Sequence, residues 1–127
     1  MLEAGIKNKK VITVTENDTA IVHGSGNLPV FATPAMIALM EATAWQSVAP
    51  HLDEGVASVG TKLDVSHLSA DPVGAEITCE SELVEVDGRR LVFNITVSDK
   101  AGVVGEGTHE RFLIKSESFM KKVSEKI

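Results

Sequence analysis

With 127 residues, 24% of them charged and 43% hydrophobic, the chain reads as one soluble globular domain over 1–127, long enough to bury a single sizeable core. A net charge of -6 excludes nucleic acid as the main partner, since phosphate binding wants a basic face, but leaves room for a small anionic ligand held by a few local cations. The single cysteine, Cys79, excludes an intramolecular disulfide; the N-terminal MLEAGIKNKK has no apolar h-region and no stretch reaches membrane-spanning length, so a cytoplasmic protein away from the membrane is expected.

Lys10 to Thr15 (KVITVT) is a short β-rich run, and the polar, glycine-containing segment Asp18 to Pro29 reads as loop. Thr33-Pro34 then opens a helix, with threonine suited to the N-cap and proline to the first helical position. PAMIALMEATAWQSVA follows, and the helix should end near Pro50. Beyond it the period changes from 3.6 to 2. Between Ser58 and His67 the odd positions Val59, Thr61, Leu63, Val65 and His67 share one face. Ala75 to Val86 is a second strand region, which places Cys79 as a buried thiol. Asp87-Gly88 supplies a two-residue hairpin turn of the primed type, and Leu91, Phe93, Ile95 and Val97 form the inner face of the returning strand. Asp99 to Gly102 turns again, Val103 to Lys115 runs back, and SESFMKKVSEKI carries apolar residues at the spacing of a short surface helix. One apolar helix followed by a meander of four antiparallel strands is an α+β pattern. A helix so apolar needs cover on most sides and one sheet covers only one, which predicts a dimer partner.

Glu41 is the only charged residue in that helix run, with Pro34, Ile37, Ala38, Ala44, Trp45 and Val48 as its helical neighbours. A carboxylate there must face water, find a partner, or work with a raised pKa. Thr33 and Glu41 are eight residues apart, about 12 Å along a helix at roughly 1.5 Å per residue, so they cannot touch. An imidazole such as His67 between them, within a chain or across a dimer interface, would contact both. A histidine poised between a hydroxyl and a carboxylate is the general arrangement for activating a nucleophile. Each residue also has a plainer role: Thr33 as a cap, His67 as a structural histidine, Glu41 as an interface charge.

The segments VFATPAMIALMEATAWQSVAPHLDEG and VASVGTKLDVSHLSADPVG, followed by VEVDGRRLVF and GEGTHERFLI, resemble hotdog-fold thioesterases of the fluoroacetyl-CoA type. The similarity runs from Pro29 onward with motif spacings that match without gaps. It implies a hotdog fold, a long central helix wrapped by a curved antiparallel sheet and completed by a second subunit, as a homodimer or a tetramer of two such dimers. It implies hydrolysis of an acyl-CoA thioester, with Thr33 as nucleophile or water-positioner, His67 as general base and then acid, and Glu41 as the group that orients it. Gly60 and Arg111 would line the acyl-CoA site, with backbone N–H groups near Gly60 or the helix N-terminus holding the oxyanion. No cofactor is implied, CoA being part of the substrate. GSGNLPV, ahead of the helix, holds no aromatic residue before Phe31, which points to a general short-chain enzyme rather than one selective for fluoroacetate.

Two other readings compete. Asp18 and His23 have the five-residue spacing of hotdog enoyl-CoA hydratases, but TAIV lies between them where asparagine-proline belongs. A non-catalytic acyl-CoA-binding module is the other. GSG at 24–26 lacks the lysine and helix spacing of a phosphate loop, and His23, His51 and His109 have no metal-ligand spacing.

Overall fold

The computed structural model describes residues 2–127. Strand β1 (Lys7–Thr13) leads through a 3₁₀ turn (Glu16–Asp18) and a four-residue helix α1 (Ala20–His23) to the long helix α2 (Thr33–Val48). Strands β2 (Val56–His67), β3 (Glu76–Asp87), β4 (Arg90–Asp99) and β5 (Gly102–Lys115) follow, then helix α3 (Ser116–Ser124). Among the described residues no helix is long and apolar enough to cross a membrane.

The five strands form one antiparallel sheet in the order β1-β3-β4-β5-β2. The expected four-strand meander is therefore a three-strand one. Strands β3, β4 and β5 are joined by tight turns that force neighbours together, whereas residues 68–75 between β2 and β3 are long enough to cross the sheet. That crossing makes β2 an edge strand against β5. The β3–β4 turn is Gly88-Arg89, one residue later than expected, with Asp87 paired to Arg90 and only the glycine at positive φ (60°).

Helix α2 touches all five strands. Met36, Met40, Ala44 and Val48 on one side are closed off completely against Ile77, Leu83, Leu91, Phe93 and Val97 of the sheet. Each large apolar side chain so buried contributes about 1.5–3 kcal/mol. The helix holds two buried hydroxyls at no cost in lost hydrogen bonds, since Thr43 and Ser47 donate to the carbonyls of Leu39 and Ala44. Its other side is uncovered: Pro34, Ala38 and Trp45 are exposed, Trp45 at 45%, alongside Ile37 and Glu41.

The alternation expected along β2 is broken once. Gly60 pairs with Arg111 and Lys62 with Glu110, leaving Thr61 as an extra residue in a β-bulge. Ser58 and Gly60 face the helix before the bulge; Leu63, Val65 and His67 face it afterwards.

Candidate functional site

Thr33 begins α2 but caps nothing. Its backbone already sits in the first helical turn and Ala32 holds the cap position. The chain is pinned just before it, where Phe31 N–H donates to the Asp71 carbonyl (2.8 Å) and Ala32 N–H to the Asp18 carbonyl (2.8 Å). The threonine hydroxyl is thereby freed, and it lies 2.8 Å from Nδ1 of His67, the last residue of β2. Phe31 packs edge-on against the imidazole, with ring centroids 6.2 Å apart. Burial pulls the His67 pKa below its ordinary value, with the Ser69 backbone working the other way. Nε2 is buried without a hydrogen-bond partner; in a neutral ring with its proton there, Nδ1 can accept a hydrogen bond from the Thr33 hydroxyl, an arrangement chemically able to serve as a general base. Both side chains open on a cavity of about 280 Å³ walled by Ala20, Ser25, Val30, Phe31 and Leu68.

The loop beyond His67 is tied down by an unusual pair. Asp71 is 4% exposed and its Oδ2 finds no hydrogen-bond partner in its ordinary accepting role. Burial first, then the hydrogen bond and charge of Asp99, push its pKa up to about 6. Asp99 in turn caps the β4–β5 turn, its Oδ1 accepting from Ala101 N–H (2.7 Å) and Gly102 N–H (3.0 Å).

Glu41 stands elsewhere. Its side chain is 39% exposed and its Oε2 lies 3.7 Å from Arg111 Nη1. A Cβ built on Gly60 would sit 2.6 Å from that oxygen, so the carboxylate occupies the space a side chain would take. Arg111, 6% exposed, donates from Nε to Ser58 Oγ (2.8 Å) and from Nη2 to the Ser58 carbonyl (2.9 Å), while Nη1 lies 3.1 Å from His109 Nε2. Burial lowers the Arg111 pKa and the Glu41 charge opposes that shift.

The five expected residues thus fall into two groups. Thr33 and His67 meet at one end of β2, and Glu41, Gly60 and Arg111 at the other. Gly60 and His67 are seven strand residues apart, roughly 20 Å at about 3.3 Å per residue. Within one protomer, then, the imidazole does not bridge Thr33 and Glu41. That corrects the single-chain form of the expectation and leaves the form across an interface. Ser58 and His109 belong to the Glu41 group and escaped the sequence reading. A period of two through THER, which puts His109 and Arg111 on one face, was the available signal. The hydratase pair is not assembled: Asp18 Oδ2 accepts from Thr15 N–H and lies 3.0 Å from its hydroxyl, and His23 is exposed at the end of α1.

The chain matches the family model described as fluoroacetyl-CoA-specific thioesterase over residues 14–117. It is 42% identical over 97 residues, 76% of this chain and 70% of the relative, to the fluoroacetyl-CoA thioesterase of Streptantibioticus cattleyicolor. A solved fluoroacetyl-CoA thioesterase structure superposes with a TM-score of 0.94 at 33% identity, covering 100% of this chain and 98% of the other. A hot-dog-like protein from Thermanaerovibrio acidaminovorans superposes at 0.91 with 25% identity, over 99% and 93% of the two chains. The architecture is the hotdog fold.

Proposed function

The chain belongs to the fluoroacetyl-CoA-specific thioesterase family and is a thioester hydrolase acting on acyl-CoA, and from that premise we propose that it cleaves small acyl-CoA thioesters at a site built from Thr33, His67 and Glu41. The observation that carries this reading is the 2.8 Å contact between the Thr33 hydroxyl and His67 Nδ1 at the mouth of the cavity. His67 takes the proton of Thr33, or of a water Thr33 positions, and that oxygen attacks the acyl carbon. The oxyanion is met by backbone N–H groups of Gly60 or the α2 N-terminus, and the CoA thiolate leaves with the proton from His67. A second water then releases the acid if an acyl-threonine has formed. Side chains and water supply every step, so the reading calls for no cofactor.

Glu41 enters through a second copy of the chain. The β2 edge and the uncovered α2 side adjoin, and both want cover. Pairing two β2 edges antiparallel about a point between Leu63 and Asp64 sets Gly60 beside the partner's His67, which brings the two groups of site residues together. The walls supplied by Ala20, Ala32 and Ala70 are small, and 24–30 carries no aromatic side chain, which supports broad acceptance of short acyl groups.

Free thiol measured over a panel of acyl-CoAs tests the reaction. Release from short members is expected, and binding without release from any member would overturn it in favour of a binding module. Mixing inactive His67→Ala and Glu41→Gln proteins tests the shared site. Random exchange into mixed dimers restores up to about a quarter of wild-type activity if each site draws on both chains, and none if it does not.

A further inference from the structure

His109 takes no part in the scheme above, yet it is a fully enclosed imidazole in the group around Glu41, at 1% exposed. Two contacts define its protonation. Nδ1 stands 2.8 Å from the Lys62 carbonyl, which can only accept, so Nδ1 carries the proton. Nε2 then has a lone pair, and it faces Arg111 Nη1, which can only donate, at 3.1 Å. The ring stacks on Phe93 with centroids 6.1 Å apart and planes 30° from parallel. Its Cε1 closes the space beside Gly60, 3.2 Å from where a Cβ would be.

We propose that His109 is a positioning residue of the thioesterase site, a neutral imidazole that fixes Arg111 so that its Nη1 faces Glu41. The inference rests on the reading that Glu41 serves the reaction. Arg111 has three hydrogen-bond partners in the protein, Ser58 Oγ, Ser58 O and His109 Nε2, and only the last engages the nitrogen that faces the carboxylate. Without that acceptor a buried Nη1 hydrogen loses its partner and the planar guanidinium, held only along its Nε–Nη2 edge by Ser58, can tilt about that edge, so the Glu41 carboxylate loses its fixed place over Gly60. A protonated ring would fail for the same reason, because it would turn a second N–H toward a guanidinium. The charged groups around it are Arg111 and Glu110 on β5, Glu41 on α2, and Lys62 on β2. Burial leads in lowering its pKa and Arg111 adds to that, while the Lys62 carbonyl, Glu41 and Glu110 oppose.

The His109→Phe variant keeps the ring and the stack on Phe93 but loses both polar contacts. It is expected to fold, since Lys62 is exposed and its carbonyl can turn to water. Turnover of the best acyl-CoA should fall on the order of tenfold with KM within about twofold of wild type, as misplacement of a group by a fraction of an ångström predicts. The acid limb of its pH profile should report one fewer protonation than wild type. Nitrogen-15 imidazole spectra of the wild type should show His109 protonated on Nδ1 alone, and still neutral at a pH where a free imidazole, with its ordinary pKa of about 6.5, is charged. An Nε2-protonated or charged His109 at neutral pH would overturn the proposal. So would a folded His109→Phe protein with unchanged turnover and acid limb. A wild type that releases no thiol from any acyl-CoA would sink the hydrolase reading instead, and the imidazole spectra would still decide the placement of Arg111.

Discussion

The two ends of β2 solve opposite problems. At the His67 end a hydroxyl and an imidazole meet near solvent, with no formal charge, and a single 2.8 Å contact defines them. At the Gly60 end a guanidinium 6% exposed and a carboxylate are held by four hydrogen-bonding or charge contacts to Ser58, His109 and each other. Proton transfer needs a base that changes its charge easily, which a lightly held, neutral ring can do. A fixed charge needs a scaffold, because a buried ion without partners is costly. The difference teaches that a proton-transfer pair and a fixed charge pair are built in different surroundings, at opposite ends of one strand.

The sharpest way to break the comparison is His67→Ala. Turnover should fall roughly a thousandfold, as loss of a general base does, with thermal unfolding little changed. A variant as active as wild type would move the chemistry away from that end. Thr33→Val keeps the shape and removes the hydroxyl, and a loss of about a hundredfold is expected in steady-state thiol release. Its helix should survive, since Thr33 caps nothing.

At the other end Gly60→Ala places a methyl 2.6 Å from Glu41 Oε2. The carboxylate must swing aside, and turnover should drop on the order of tenfold or more while circular dichroism stays unchanged. Glu41→Gln should also leave the fold intact and lower turnover; an untouched rate would reduce the carboxylate to a tolerated interface charge.

The smallest effect concerns Asp71, which anchors the His67 end. Its folded pKa is about 6 against an ordinary 3.8. Between those values the native chain holds a proton that the unfolded chain has released, so stability falls as pH rises through that window and stays lower above it. Asp71→Asn keeps a donor toward Asp99 without the charge. Differential scanning fluorimetry should show its midpoint about 4 °C above wild type at pH 8, with the gap narrowing as pH falls below about 6 and closing only below about 4.

Much of this was legible in the sequence because the periods are clean. Leu91, Phe93, Ile95 and Val97 repeat at two and are all buried as expected. Helix α2 was found from its composition and from Pro34 and Pro50 at its borders. The Thr33 and His67 pairing followed from residue types and from family resemblance, and the structure brings those two side chains into contact. The N-cap role was wrong for a reason outside local sequence: hydrogen bonds from Phe31 and Ala32 to residues far along the chain move the helix start by one position. The place of β2 beside β5 was hidden because an eight-residue link does not name a neighbour. The place of His109 was hidden because a lone histidine in a strand, with no metal-ligand spacing to others, looks like any other until Arg111 and Lys62 are seen on either side of it.

Thr61 is the residue that no reading by type would choose. Its side chain does no more than donate to the Glu110 carbonyl at 3.2 Å. Residues 60 and 67 differ by an odd number, so in an unbroken strand they would point to opposite faces. The extra residue restores the parity, and both ends of β2 look toward the helix. What Thr61 contributes is therefore a count and not a chemistry. Replacing it with another side chain should pass almost unnoticed, whereas deleting it would turn Lys62 through His67 over and take the imidazole away from Thr33. The site is written partly in the length of the chain, where a survey of substitutions alone would never find it.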